Sequence, residues 1–241
     1  MPYLPRSICI ATPAYGDEVK TGYVDSLLRS CLALQQRRVE MHFVTTSSSL
    51  IAQARNLAVD YFLKRTNATH LLFIDADMRW RVEDLMRMLG HGERDVLSAV
   101  APRKIYDWHR IAEVARAQPD LDPALLPVHG VQQILPDLAV ADEVMVGDHA
   151  LTGLILIRRE VFEDLARAHP DWLITPPNPL AGLTTFFSGG RTAHAFRGED
   201  LAFGDDIRAL GKVIHLCPWF RMGHIGTHEY VGDPLVTHRR G

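Results

Sequence analysis

Leu71-Leu72-Phe73-Ile74 is apolar at every position. A strand with one wet face alternates, whereas a run like this one is covered on both faces, as in a parallel sheet packed under helices. The neighbouring chain supplies the other parts of such a sheet. Ile8 to Ala11 reads as a short strand stopped at Thr12-Pro13, where proline ends the ladder. A helix from about Tyr23 to Gln36 follows, then a strand from Val39 to Thr45 with Val39, Met41 and Phe43 on one side. Ser47-Ser48-Ser49 offers N-caps for a helix reaching about Lys64. Past the apolar run come a helix marked by Val82, Leu85, Met86 and Leu89 and a strand over Val96 to Val100. Strand and helix in alternation predict a doubly wound α/β sheet, whose ligands bind beyond the carboxyl ends of the strands.

The second half is less regular. Asp107 to Gly130 reads as a surface excursion with a short helix, and Val144 to Ile157 as two apolar runs broken by Gly147-Asp148. Arg159 to Ala168 is a helix, Pro176 to Arg197 a long loop of the kind that forms lids or binding loops. Glu199 to Leu210 is a helix ended by Gly211, and Val213 to Leu216 a strand. The 241 residues fit one domain, 1–241. At 47% hydrophobic and 23% charged, wholesale disorder is ruled out. The net charge of −3 gives no overall pull toward nucleic acid or anionic lipid. Cys9, Cys31 and Cys217 make neither a disulfide framework nor a zinc cluster. No apolar run approaches the ~20 residues that span a bilayer, and the start lacks a signal-peptide stretch. A cytoplasmic protein is the expectation.

Four groups of residues could carry chemistry. Asp75 and Asp77 form a D-x-D just past the apolar strand, able to reach a divalent cation or a ribose hydroxyl, although acidic residues also cap strand ends. Gly223-His224-Ile225-Gly226-Thr227-His228 offers imidazole; with a carboxylate it suits manganese better than calcium, and its glycines argue against a helical zinc pair. Glu199 and Asp200 begin a helix, where the dipole alone stabilises carboxylates, or where one serves as general base. Arg55-Asn56 and Pro102-Arg103-Lys104 bring positive charge near strand ends; phosphate binding and solvated surface account for them equally well.

The ordered set Ile10 to Tyr15, Ala54-Arg55-Asn56, Phe73 to Asp77, Pro102-Arg103-Lys104, Thr152-Gly153, Gly198-Glu199-Asp200 and Gly223 to His228 resembles glycosyltransferases of the GT-A fold, family-two-like members of bacteria and large viruses. The resemblance implies a Rossmann-like, mixed, mostly parallel twisted sheet with helices on both faces. It also implies a nucleotide-sugar-binding half over 1–106 and an acceptor-binding, metal-completing half over 107–241. Asp77 would ligate Mn2+ or Mg2+, Asp75 would bind ribose or reach the metal through water, and His224 would complete the site. Ala76 lies between the two carboxylates. Thr12, Pro13, Ala14 and Tyr15, with Arg55 nearby, would cradle the nucleobase of a nucleoside diphosphate sugar, a UDP-sugar by preference. Arg103, Lys104, Thr152 and Gly153 would line the donor site. Glu199 and Asp200 would supply the base, with Asp200 preferred. The acceptor would be a glycan or another hydroxyl, with nucleic acid less favoured by the acidic balance.

Three rivals remain at this level. A haloacid dehalogenase-like phosphohydrolase also places D-x-D after an apolar strand, with Asp205-Asp206 as a later acidic pair, but Met78-Arg79-Trp80 departs from its pattern. A sugar nucleotidyltransferase would want a Gly-rich loop after the first strand. A non-catalytic sugar-binding module would leave Glu199 and Asp200 dispensable.

Overall fold

The computed structural model describes residues 3–104, 106–120, 144–191 and 196–226, and the backbone of 229–232. Among these residues seven strands form one sheet: β1 (Ser7–Pro13), β2 (Glu40–Thr46), β3 (His70–Ile74), β5 (Val96–Ala99), β6 (Met145–Val146), β7 (Leu154–Arg158) and β10 (Ile214–Cys217). Their order is β2-β1-β3-β7-β5-β10-β6. Five run the same way, while β7 is antiparallel to both β3 and β5, and β6 is antiparallel to β10. The sheet is therefore mixed and mostly parallel, with helices on both faces. A smaller antiparallel sheet, β12-β11-β4, joins β4 (Met78–Trp80) to β11 (Met222–Ile225) and β12 (Glu229–Gly232). A two-stranded ladder pairs β8 (Gly190–Arg191) with β9 (Phe196–Arg197).

The apolar run has two dry faces because successive side chains of a strand point opposite ways. Leu71 and Phe73 enter one core cluster with α2 (Ile51–Arg65), α5 (Arg159–Ala168) and α6 (Glu199–Ala209). Leu72 and Ile74 enter the other, with α1 (Thr21–Gln36) and α3 (Val82–Leu89). Every residue of β1 and β3 is buried.

Four local expectations need correction. Pro13 does not stop β1 at Thr12; the strand runs through it, pairing with Thr46 of β2 after the β3 ladder has ended at Ala11. Phe43 is 47% exposed, because β2 is an edge strand with too little cover on that side. No serine caps α2: Leu50 holds the N-cap position, and Ser48 Oγ accepts from the N–H of Leu50 itself, two residues on and still ahead of the helix. The strand expected over Val96 to Val100 ends at Ala99. The 107–130 excursion contains α4 (Trp108–Ala117), and its part from 121 lies outside the described residues, as do 192–195 of the long loop.

That loop is tied down where it passes α2. Asn56 Nδ2 donates to the Phe187 carbonyl (2.9 Å), and the Phe187 N–H donates to Asn56 Oδ1 (2.8 Å). Phe186 and Phe187 are buried against Phe162, Phe73 and Phe203. No helix among the described residues is long and apolar enough to cross a membrane.

Candidate functional site

The D-x-D is a reverse turn joining β3 to β4: the Met78 N–H donates to the Asp75 carbonyl at 3.1 Å. The turn is held from three sides by backbone bonds. Asp75 N–H donates to Gly153 O (3.0 Å), Lys20 N–H to Ala76 O (2.9 Å) and Ile225 N–H to Asp77 O (2.8 Å). Gly153 stands just ahead of β7, and because β7 runs antiparallel its start lies where β3 ends. The two aspartate side chains thereby project from a braced corner.

Each aspartate has a different cationic partner. Asp75 Oδ1 accepts from Arg55 Nη2 at 2.9 Å. Burial pushes the Asp75 carboxyl up, and Arg55 works against that push. Asp77 Oδ2 is contacted by the Lys104 ammonium and lies 3.3 Å from His224 Nε2. Burial raises the Asp77 pKa, but the bonds to His224 and Lys104 outweigh it and bring the value to about 2. Asp77 is held as a carboxylate.

His224 carries a further clue. Its Nδ1 lies 2.8 Å from the Pro102 carbonyl, which can only accept, so Nδ1 bears the proton. Nε2 therefore meets Asp77 Oδ2 in one of two ways: as a second N–H donor, the arrangement that holds Asp77 as a carboxylate, or, in the neutral ring, as a lone pair that needs a cation between the two acceptors. An imidazole oriented by a backbone carbonyl beside a carboxylate fits a divalent manganese- or magnesium-like ion. Among the described residues no three His, Cys, Asp or Glu side chains converge on one point. The fitting pair is Asp77 and His224, with Asp75 engaged by Arg55. Thr227 and His228, from the same motif, lie outside the described residues.

Two hollows meet at this corner, sharing Ile51, Asp75 and His224. The first, about 380 Å³, is walled by Pro13, Tyr15, Asp75, Ala76 and Asp77, and also by Glu18 and Lys20. Glu18 and Lys20 were not foreseen, although they follow closely on the end of the first strand. Tyr15 is 79% exposed over this hollow. Thr12 and Ala14 are buried, and the Thr12 hydroxyl is engaged by the Tyr23 hydroxyl. Thr12 thus braces the wall from behind.

The second hollow, about 480 Å³, brings Arg55, Arg103, Thr152 and Gly153 together with Glu199 and Asp200. Glu199 and Asp200 form the first turn of α6. Asp200 Oδ1 accepts from the Leu201 N–H (2.8 Å), and Glu199 Oε1 lies 3.8 Å from Arg55 Nε. Arg55 is only 2% exposed and bridges Asp75 and Glu199, standing in the second hollow rather than among the walls of the first, where Tyr15 is. Its Nε and Nη1 make no hydrogen bond among the described residues, so Asp75 supplies its one bonded oxygen. Asp205, from the rival phosphohydrolase pattern, is paired with Arg197 and Arg208 further along α6.

No family model matches this chain, and no curated protein does. Among solved structures, A197 from STIV is similar over 92% of this chain and 86% of its own, with 15% identity and a TM-score of 0.48. S. aureus TarS, residues 1–349, is similar over 94% of this chain and 60% of its own, with 14% identity and a TM-score of 0.40. Likenesses at these scores decide nothing about the site. The architecture rests on the strand order and directions.

Proposed function

We propose that this chain is a glycosyltransferase that moves a sugar from a nucleoside diphosphate donor, a UDP-sugar by preference, to a hydroxyl of a glycan or other acceptor. The supporting observation is the meeting of Asp77, Lys104 and His224 at one point, with Glu199 and Asp200 lining an adjoining hollow. Residues 1–241 would act as one domain, 1–106 holding the donor and 107–241 the acceptor. The nucleobase and ribose would lie along Pro13, Ala14, Tyr15 and Asp75, with the diphosphate toward Asp77.

Asp77 and His224 would hold Mn2+ or Mg2+, which when bound supplies Lewis-acid neutralisation of the departing diphosphate charge. Lys104 and Arg103 add fixed positive charge at that end of the cleft. Asp200 takes the proton of the acceptor hydroxyl as it attacks the anomeric carbon, giving inversion. Glu199 is the weaker candidate for base, because its carboxylate faces the Arg55 guanidinium. Arg55 then links the donor-side acid Asp75 to the acceptor-side helix.

A thermal-shift screen of nucleotide sugars, with and without manganese, tests the donor. Binding at ~100 times the dissociation constant stabilises by about 2.7 kcal/mol. Asp77→Asn is expected to abolish the manganese-dependent shift. Asp200→Asn should keep the shift and lose transfer by about 10²–10⁴-fold, the usual worth of a general base. Full transfer by Asp77→Asn would overturn the reading of the site. Normal turnover by Asp200→Asn would remove the base from α6.

A further inference from the structure

Two segments that line the second hollow run on into exposed aromatic rings. One leads away from β5 through Pro102 and Arg103. Tyr106 and Trp108 follow it, their rings stacked with centroids 5.1 Å apart and planes 26° from parallel. Trp108 is 69% exposed, and Tyr106 is exposed beside it. The other segment enters α6 at Glu199, and ahead of it Phe196, on β9, is 79% exposed. Trp108 stands four residues beyond Lys104, whose ammonium sits on Asp77, and Phe196 three before Glu199. Chain lengths of that size span no more than about 14 Å and about 11 Å, so each ring is tethered close to the cleft.

Tryptophan is usually among the more buried side chains, and core packing does not account for this one. Of the residues of α4, which begins at Trp108, only Val114 is buried. The Asp107 side chain caps that helix by accepting from the Arg110 N–H at 3.0 Å. The cap fixes where the helix starts and so where the indole stands, and stacking on Tyr106 leaves the pair little freedom to lose on binding. The result is a flat apolar plate with polar edges.

A sugar ring is complementary to such a plate. Its C–H bonds lie on its faces, where they meet the electron-rich face of an aromatic ring. Its hydroxyls stand round its rim, where carboxylates such as Glu199 and Asp200 can accept from them. A nucleic acid strand would also stack, but it would bring its phosphates against those two carboxylates. A lipid chain calls for an enclosed apolar groove, whereas the adjoining hollow is lined by Arg55, Arg103, Glu199 and Asp200.

We propose that Tyr106, Trp108 and Phe196 form an aromatic platform for an oligosaccharide, which makes the acceptor a glycan chain. The proposal rests on the transferase reading above and narrows its acceptor: with one sugar ring on the platform, a hydroxyl of the next enters the hollow beside Asp200.

The test is an NMR titration of the full chain without donor, following the indole N–H signals, with calorimetry for affinity. The Trp108 signal is the one lost in Trp108→Phe. The probes are hexasaccharides of glucose, mannose, galactose and N-acetylglucosamine, with a thymidine hexanucleotide for comparison. At least one hexasaccharide is expected to move the Trp108 signal. Trp108→Ala and Phe196→Ala should each bind that saccharide about tenfold more weakly. Trp108→Phe, which keeps a ring, should fall between Trp108→Ala and the parent. Both positions being exposed, the variants are expected to melt with the parent. In transfer assays the loss should appear in KM for the saccharide, with the manganese-dependent thermal shift by the nucleotide sugar retained. No movement of the Trp108 signal with any of the four hexasaccharides, or undiminished affinity in Trp108→Ala, would overturn the platform. Tighter binding of the hexanucleotide than of every hexasaccharide would overturn the assignment to glycans. Saccharide binding by a parent protein that no nucleotide sugar stabilises would instead overturn the acceptor role, because it leaves the platform without a donor.

Discussion

At the scale of single residues, the most consequential contact is the Lys104 ammonium on Asp77 Oδ2, the oxygen that also faces His224. A tethered cation there competes with any divalent ion for the same carboxylate. Lys104→Met is expected to bind Mn2+ several-fold more tightly than the parent, measured from free-ion paramagnetic resonance, while binding a nucleoside diphosphate less well. Weaker manganese binding by that variant would show that the ammonium does not compete. The residues of this corner were legible because each sits in a short run at a strand end: Asp75 and Asp77 after a wholly apolar strand, Arg103-Lys104 after the next, His224 between glycines. Arg55 was legible as a charge and not as a position. Its helix register does not say which of two adjoining hollows the guanidinium enters, and the acid it reaches across, Glu199, is brought there only by the folded chain. Nor does spacing reveal that Thr12 would spend its hydroxyl on Tyr23.

At the scale of elements, the position of Glu199 and Asp200 depends on how closely α6 packs. A Cβ at Gly204 would stand 3.0 Å from the Ala150 backbone nitrogen and 3.5 Å from His149 Cα. Backbone cannot give way as a side-chain tip does. Gly204→Val is therefore expected to cost about 1–3 kcal/mol by urea denaturation, the usual range for overpacking. Under the proposed function it should also slow transfer more than it weakens donor binding, because Glu199 and Asp200 lie on the same helix. Unchanged stability would mean that the helix has slack at this point. Most elements could be read from the sequence, with ends moved by a residue or two, because apolar periodicity reports burial directly. Pro13 and the serine run misled for a physical reason: a proline at the end of a strand forfeits little once one neighbour has stopped pairing, and a hydroxyl can bond just ahead of the helix it was expected to cap.

At the scale of the whole molecule, two cores on opposite faces of the sheet seal its interior from reagents. Burial pushes the thiols of Cys9 and Cys217 up to about 12, and raises that of half-buried Cys31 as well. At pH 8 the folded protein should be alkylated slowly at Cys31 alone, with Cys9 and Cys217 reacting only after denaturation, as peptide mass mapping would show. Rapid labelling of Cys9 in the native state would mean that the sheet opens far more readily than its burial suggests. The α/β class was legible at this scale; the direction of β7 was not, because an apolar run reads alike from either end. The small sheet was equally hidden, because β4 lies far in the sequence from the adjacent strands β11 and β12. The insertion of β7 bears on how the protein is made. Both neighbours of β5, β7 and β10, come from later in the chain, and β3 lacks one partner until residues 154–158 emerge from the ribosome. Until then a nascent chain carries bare, water-averse strand edges with nothing to zip against, which makes the first hundred residues natural clients for a holding chaperone.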